Sequence, residues 1–321
     1  MSGNKNNHAD QELKQPHISV VIPVYKCEEF IEELYQRLVA QIEEITTNFE
    51  IIMVEDWGED GSWALINNLS NKDRRVKGIQ FSRNFGQHYG ITAGLDHCKG
   101  DWVVIMDGDL QDQPEEIPRL YAKAQEGFDI VLARRTQRQD PLLQKIASRI
   151  FYRVFNYFTE MSYDPRVGNF RIISKKVATN YREMREQLRF FGGLVDWLGF
   201  PTAYVDINHD QRLSGKSSYT LRKKWKLAYE AIIAYSDKPL KLSIRVGFMM
   251  SFLAFCYGIY VIYSALFKGV DIQGWSSLIV SIYFIGGIII AILGIIGIYL
   301  GKTFDEVKKR PLYIIKERVN V

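Results

Sequence analysis

A chain of 321 residues, 47% apolar and 24% charged, is long enough for one large domain or two small ones and has the composition of a folded protein. Its formal net charge of +4 gives no ground for a nucleic-acid surface. Three scattered cysteines, Cys27, Cys98 and Cys256, argue against a disulfide framework or a zinc site and fit a reducing compartment.

The first stretch, MSGNKNNHADQELKQ, is polar and lacks the apolar run of a signal peptide, so residues 1–16 read as a disordered lead-in. Strands and helices then alternate. ISVVIPVY (Ile18–Tyr25) is a β-branched apolar run, and Glu28–Ile45 has helical periodicity. FEIIMVED (Phe49–Asp56) is a second strand, followed by a helix over Ser62–Leu69. VKGIQFS (Val76–Ser82) is a third, followed by a helix over Gln87–His97. DWVVIMDGD (Asp101–Asp109) is a fourth, after which Pro114 opens a helix to about Glu126. DIVLARR (Asp129–Arg135) is a fifth. This alternation predicts an α/β domain with a doubly wound, mostly parallel sheet.

Thr220–Leu242 carries Trp225, Leu227, Ala228, Ile232 and Ile233 near helical spacing, with Arg222, Lys223, Lys224 and Lys226 at its start. Two readings stand for it: an interfacial helix on anionic lipid, or an amphipathic helix packed on the preceding domain. Val246–Phe267 then runs 22 residues without a charge, and Leu278–Leu300 runs 23. Each is long enough to cross a bilayer core, which takes about 20 apolar residues. Lys238, Lys241 and Arg245 precede the first span, and Lys302, Lys308, Lys309 and Arg310 follow the second, which predicts cytoplasmic termini. Gly286, Gly287, Gly294 and Gly297 permit close helix contact, within the pair or between subunits of a homo-oligomer. The expected organisation is a lead-in over 1–16, a cytoplasmic catalytic domain over 17–219, a juxtamembrane helix over 220–243, a transmembrane hairpin over 244–301 and a cytoplasmic tail over 302–321.

In doubly wound sheets ligands bind beyond the carboxyl ends of the strands. The polar residues that stop these strands are Tyr25, Glu55–Asp56, Ser82–Arg83 and Asp107–Asp109. Asp107, Gly108 and Asp109 follow a wholly apolar strand, and Asp112 stands close behind. Carboxylates so spaced repel one another unless a cation sits among them. Hard oxygen ligands suit Mg²⁺ or Mn²⁺ shared with a diphosphate, and Gly108 allows close approach. No P-loop and no dinucleotide fingerprint occurs.

PVYKCEEF, VEDWGEDGSW, FSRNFGQHYGITAGLDHCKGD, VVIMDGDLQDQPE, VGNFRIISKKV and QRLSGKSSY occur in the order seen in family 2 glycosyltransferases. The chain resembles in particular the membrane-anchored polyisoprenyl-phosphate glycosyltransferases, such as dolichyl-phosphate mannose synthases and bactoprenol glucosyltransferases. The resemblance covers Ile18 to about Glu317. It implies a GT-A fold, a UDP- or GDP-sugar donor, Mg²⁺ or Mn²⁺, a polyprenyl phosphate acceptor such as undecaprenyl phosphate, and inversion at the anomeric carbon. It also implies a bacterial inner-membrane location and a role in surface-glycan synthesis.

Carried over, Pro23, Tyr25 and Glu28 line the nucleoside pocket, Asp56 accepts a hydrogen bond from the base, and Arg83 approaches a donor phosphate or the base. Asp107 and Asp109 hold metal and diphosphate, and Gln111 and Asp112 continue into the sugar pocket. Arg212, Ser214, Lys216 and Ser218 match a loop that closes over the diphosphate or acceptor phosphate. Trp197 and Phe190–Gly193 resemble the acceptor-side helix.

Two departures stand out. Trp57 and Gly58 occupy the Gly and Ser places of the usual acidic motif. Asn169 stands where relatives often carry Asp, and an amide is no general base. A phosphate monoester, with a second pKa of about 6, needs no proton removed, so Asn169 and Arg171 are then left to orient phosphates. A hydroxyl acceptor on a lipid-linked saccharide requires a base, for which Asp112 or Asp196 are the candidates. A non-catalytic nucleotide-sugar binding protein is the rival from another class, and the intact Asp107, Asp109 and Lys216 speak against it. His88, His97 and His209 read as structural or surface residues.

Overall fold

The computed structural model describes residues 17–135, 156–157, 164, 166–207, 236–268 and 274–321. They divide into two compact units: 17–135, 164–207 and 311–321 in the first, and 156–157, 236–268 and 274–310 in the second.

The first unit is an eight-stranded sheet. Its strands are β1 (Ile18–Val24), β2 (Phe49–Glu55), β3 (Val76–Phe81), β4 (Trp102–Ile105), β5 (Ile130–Arg135), β6 (Val167–Ser174), β7 (Thr202–Ile207) and β8 (Ile315–Val319), in spatial order β7-β5-β6-β4-β1-β2-β3-β8. Every residue of β1 and β2 is buried. Strands covered on both faces read as unbroken apolar runs, which is why the sequence announces them so clearly. The helices are α1 (Ile31–Glu43), α2 (Ser62–Lys72), α3 (Gln87–His97), α4 (Ile117–Ala124, preceded by a 3₁₀ turn at Pro114–Glu116), α5 (Lys175–Glu183) and α6 (Phe191–Trp197).

Two features depart from a simple alternation. β5 does not pair with β4; β6 lies between them, antiparallel to both. An inserted antiparallel strand brings its starting residues, Val167–Asn169, to the edge where β4 ends. The other departure is β8. Of the segment 302–321, expected as a tail, Ile315–Val319 pairs antiparallel with β3. Around it the Ser82 amide donates to the Ile314 carbonyl at 3.0 Å. The Tyr313 ring stacks on Phe81 at 5.2 Å while its hydroxyl donates to Asp96 at 2.7 Å. Trp63 donates its indole N–H to Glu317 at 3.1 Å, and the Asn320 amide donates to the carbonyls of Ser70 and Val76 at 2.7 and 3.0 Å. β3 would otherwise present an open edge, and β8 covers it.

Helix α3 sits directly on β1. A Cβ added to Gly94 would come 2.2 Å from Val21 Cγ1, and one on Gly90 would come 3.1 Å from Pro23. This close seating fixes the amino end of α3 at the carboxyl edge of the sheet.

The second unit holds two long helices, α7 (Lys238–Lys268) and α8 (Trp275–Val307), of 31 and 33 residues. At 1.5 Å per residue both exceed the ~30 Å hydrocarbon core. Both contain stretches long and apolar enough to cross a membrane, and large side chains such as Phe248 and Tyr283 are exposed. Tyr299 near the end of α8 donates its hydroxyl to the carbonyl of Ser236, just before α7, at 2.6 Å. The pair is therefore an antiparallel hairpin. Among the described residues, a Cβ at Gly286, Gly287, Gly294 or Gly297 would meet nothing within 4 Å.

Candidate active site

The carboxyl ends of β1, β2, β3 and β4 and the start of β6 gather along one edge, and the loops that follow them brace one another. Glu28, after β1, accepts from the Gly61 amide at 2.8 Å, and its own amide donates to Asp60 at 3.3 Å. A Cβ on Gly61 would fall 2.2 Å from the Glu28 carboxylate, so a side chain there would push that carboxylate aside. Asp56, after β2, is buried; its two oxygens accept from the Phe85 and Gly86 amides at 2.7 and 2.8 Å. Burial pushes its carboxyl up to about 6 against the pull of those amides. Gly86, at φ +108°, then starts α3. Glu28 and Asp56 thus brace the loops and Pro23 lies within β1, whereas Tyr25 is half exposed and Arg83 is exposed with its guanidinium 4.1 Å from the Phe85 ring.

The acidic loop lies past the strand. The sequence placed Asp107–Asp109 within the fourth strand; β4 ends at Ile105, which frees these carboxylates for a ligand. Asp107 accepts from the Gln87 side-chain amide at 2.6 Å and from the Asn169 side-chain amide at 3.4 Å. Asp109 accepts from the backbone and side-chain amides of Gln111 at 3.2 and 2.8 Å. Asp112 is buried and pairs with Arg135 at 3.3 Å. Burial, with Asp112 and Asp109 alongside, holds Asp107 above the ordinary carboxylate range, and burial raises Asp112 likewise while Arg135 opposes it. Among the described residues, Arg135 is the cation that pairs with Asp112 in this cluster. At Gly108 an added Cβ would make ordinary contacts with Ile22, Cys27 and Pro23, so no clash with the protein demands glycine there.

On the β6 side, Arg171 is buried and turns back along its own strand, donating to the carbonyls of Asn169 and Gly168 at 3.2 and 2.9 Å, with its guanidinium 4.9 Å from the Phe191 ring. His88 meets Phe190 edge-on at 5.6 Å; burial first, then the charges of Arg171 and Arg189, push it down to about 4, so it is neutral at pH 7. Asp196 is exposed on α6, as is Trp197. Arg212, Ser214, Lys216, Ser218, His209 and most of the expected juxtamembrane helix lie outside the described residues.

Sequence reasoning missed Gln87 and Arg135, which hold Asp107 and Asp112. Gln87 opens α3 one residue after a glycine, and Arg135 closes a strand that runs to the same edge. Both positions were visible, but their partners come from other elements.

Residues 19–185 match the family model described as glycosyl transferase family 2. The chain is 40% identical over 304 residues to a Bacillus subtilis (strain 168) protein described as the uncharacterized glycosyltransferase YkcC, covering 94% of each. It is 38% identical to the prophage bactoprenol glucosyl transferase homolog of Escherichia coli (strain K12), covering 93% of this chain and 98% of that one. It is 37% identical to the SfII prophage-derived bactoprenol glucosyl transferase of Shigella flexneri, covering 94% and 97%.

Proposed function

Because the chain belongs to glycosyltransferase family 2 and carries a GT-A-like sheet, we propose that it transfers a sugar from a nucleotide-sugar donor to the phosphate of a polyprenyl lipid, with inversion at the anomeric carbon. The observation that carries this reading is the pairing of the acidic loop with an amide. Asn169 donates to Asp107 where a base would stand, and Asp112 is buried against Arg135. In that arrangement neither Asn169 nor Asp112 serves as a base for a hydroxyl acceptor, which leaves Asp196, exposed on α6, as the remaining candidate. A phosphate monoester is mostly ionised near pH 7 and needs only positioning. One of its oxygens attacks the anomeric carbon, the bond from that carbon to the donor phosphate breaks, and the nucleoside diphosphate leaves with the electron pair. The relatives named as bactoprenol glucosyl transferases support the same acceptor class.

A divalent cation fits the loop. The charges of Asp112 and Asp109 beside Asp107 help to hold it above the ordinary carboxylate range, and among the described residues no group of three or more His, Cys, Asp or Glu forms a complete cation site. Mg²⁺ or Mn²⁺ held by Asp107 and Asp109, with its shell completed by the donor diphosphate, meets both conditions. Such a cation, when bound, stabilises the charge that develops on the leaving diphosphate. Around it, Gln87 and Asn169 orient Asp107, Gln111 orients Asp109, and Tyr25 and Arg83 face the nucleoside. Arg212, Ser214, Lys216 and Ser218 supply a closing phosphate loop.

The basic residues flanking α7 and α8 support a plasma-membrane hairpin with the catalytic unit in the cytoplasm. An even number of crossings also returns the chain to the side it left, as the pairing of β8 with β3 requires. The test is the purified protein in detergent with Mn²⁺ or Mg²⁺, undecaprenyl phosphate and a panel of UDP-, GDP- and dTDP-sugars, with the lipid followed by mass spectrometry. A single-sugar mass gain that needs both metal and one donor is expected. Nucleotide binding with no lipid product would overturn the polyprenyl phosphate reading.

A further inference from the structure

Trp57 stands on the donor edge in a conformation its side chain disfavours. Its φ is +55°, a left-handed backbone that costs a bulky residue and that a glycine adopts freely. It is not alone. Six non-glycine residues among those described have positive φ, and four of them, Lys26, Trp57, Glu59 and Leu110, lie in the loops after β1, β2 and β4. Strain collected along one functional edge, and not spread through the fold, points to a role there. The loops also touch: a Cβ on Gly58, the residue after Trp57, would come 2.9 Å from the Lys26 backbone nitrogen. Its indole N–H donates to Glu59 at 3.2 Å, which fixes the ring plane, and the residue remains half-buried.

The second observation comes from β8. In its pairing with β3, Gln80 faces Glu317 and Phe81 faces Ile315, so Lys316 is the extra residue of a β-bulge. A bulge re-aims its side chain out of the ladder. Here the re-aimed Lys316 ammonium lies 4.8 Å from the centroid of the Trp57 ring. The rest of β8 is anchored to β3 and α2, so Lys316 is presented by a fixed strand.

We propose that Trp57 and Lys316 form the outer wall of the nucleoside pocket: the indole is the stacking surface for the donor base, and the cation behind it holds the ring in place. The segment that follows the membrane hairpin thereby supplies a donor-binding residue. This rests on the reading that the donor occupies the carboxyl ends of β1 to β3. It gives Trp57, a departure from the family's usual glycine, a physical reason to persist at a strained position.

The experiment is calorimetric binding of UDP and of GDP, each with Mn²⁺, to the full-length protein in detergent, for wild type, Lys316→Met, Trp57→Gly, Trp57→Phe and the Lys316→Met/Trp57→Gly double variant. Lys316→Met keeps the aliphatic stem and removes the charge. It and Trp57→Gly should each weaken the preferred nucleoside diphosphate about 10-fold, within the range of base–aromatic stacking. The double variant should lose little more than Trp57→Gly alone, because Lys316 acts through the ring. Trp57→Phe should retain most binding. Trp57→Gly should melt at or above the wild-type temperature, since the strain is relieved; a residue kept only for packing would lower it. The KM for undecaprenyl phosphate should not move. Unchanged nucleotide affinity in Lys316→Met overturns the wall. Binding of neither nucleotide by the wild type overturns the donor-edge reading beneath it.

Discussion

Asp56 offers the sharpest quantitative test, because burial and hydrogen bonding oppose each other in one carboxylate. Burial raises its pKa from the ordinary 3.8 to about 6, and the Phe85 and Gly86 amides reduce that rise without cancelling it. Below pH 3.8 the group is protonated whether the chain is folded or unfolded. Between 3.8 and about 6 the folded chain keeps a proton that the unfolded chain has released, so stability falls as pH rises. At 1.36 kcal/mol per pH unit the loss is about 3 kcal/mol, complete above about pH 6. Asp56→Asn removes the titration. It also turns an N–H₂ toward one of the two backbone donors, costing about 1–3 kcal/mol at any pH. The difference in unfolding free energy between wild type and Asp56→Asn should therefore shift by about 2 kcal/mol in favour of the variant from pH 4 to 6.5. Hydrogen exchange over residues 82–90 should be faster in the variant throughout, because the loop has lost a tether. Parallel stability curves for the two proteins across that range would refute the argument.

Other outcomes follow from the site. Asp109→Ala should abolish turnover and metal-dependent donor binding, and normal activity in that variant would end the metal assignment. Asn169→Asp places a carboxylate about as close to Asp107 as the present 3.4 Å amide contact, so activity at pH 7 should drop about 10-fold and recover as pH rises; a gain at pH 7 would instead indicate a hydroxyl acceptor that wants a base. Deleting residues 311–321 should uncover the β3 edge, lower the yield of folded protein and weaken nucleoside diphosphate binding. A truncated protein that folds and binds as well as the full chain would show that β8 is dispensable.

Most of the sheet was legible in the sequence because burial on both faces leaves a plain mark. ISVVIPV and FEIIMVE have no solvent-facing positions, and each is followed by a polar stop. The same physics made the two membrane-length helices plain. β8 left no such mark: IKERV is charged and largely exposed, as suits an edge strand, and no period in it distinguishes strand from tail. VGNFRIIS stood out in the sequence only as a motif, and nothing local says that it forms a strand running antiparallel between β4 and β5.

The candidate site divides along the same line. Chain order alone brought Asp56, Arg83, Asp107, Asp109 and Asp112 to one edge, since a strand's last residues must emerge where the sheet ends. What those residues do there depends on partners far along the chain. Asp107 is held by Gln87 and Asn169, Asp112 by Arg135, and Trp57 is covered by Lys316, which lies 259 positions later in the numbering. The sequence by itself determined the fold class, the acidic edge and the hairpin, because solvent exclusion is written into local composition. Only the tertiary structure decided which carboxylate pairs with Arg135, which side-chain amides hold Asp107 and which strand covers the β3 edge, because those depend on which distant segments the packed sheet brings together.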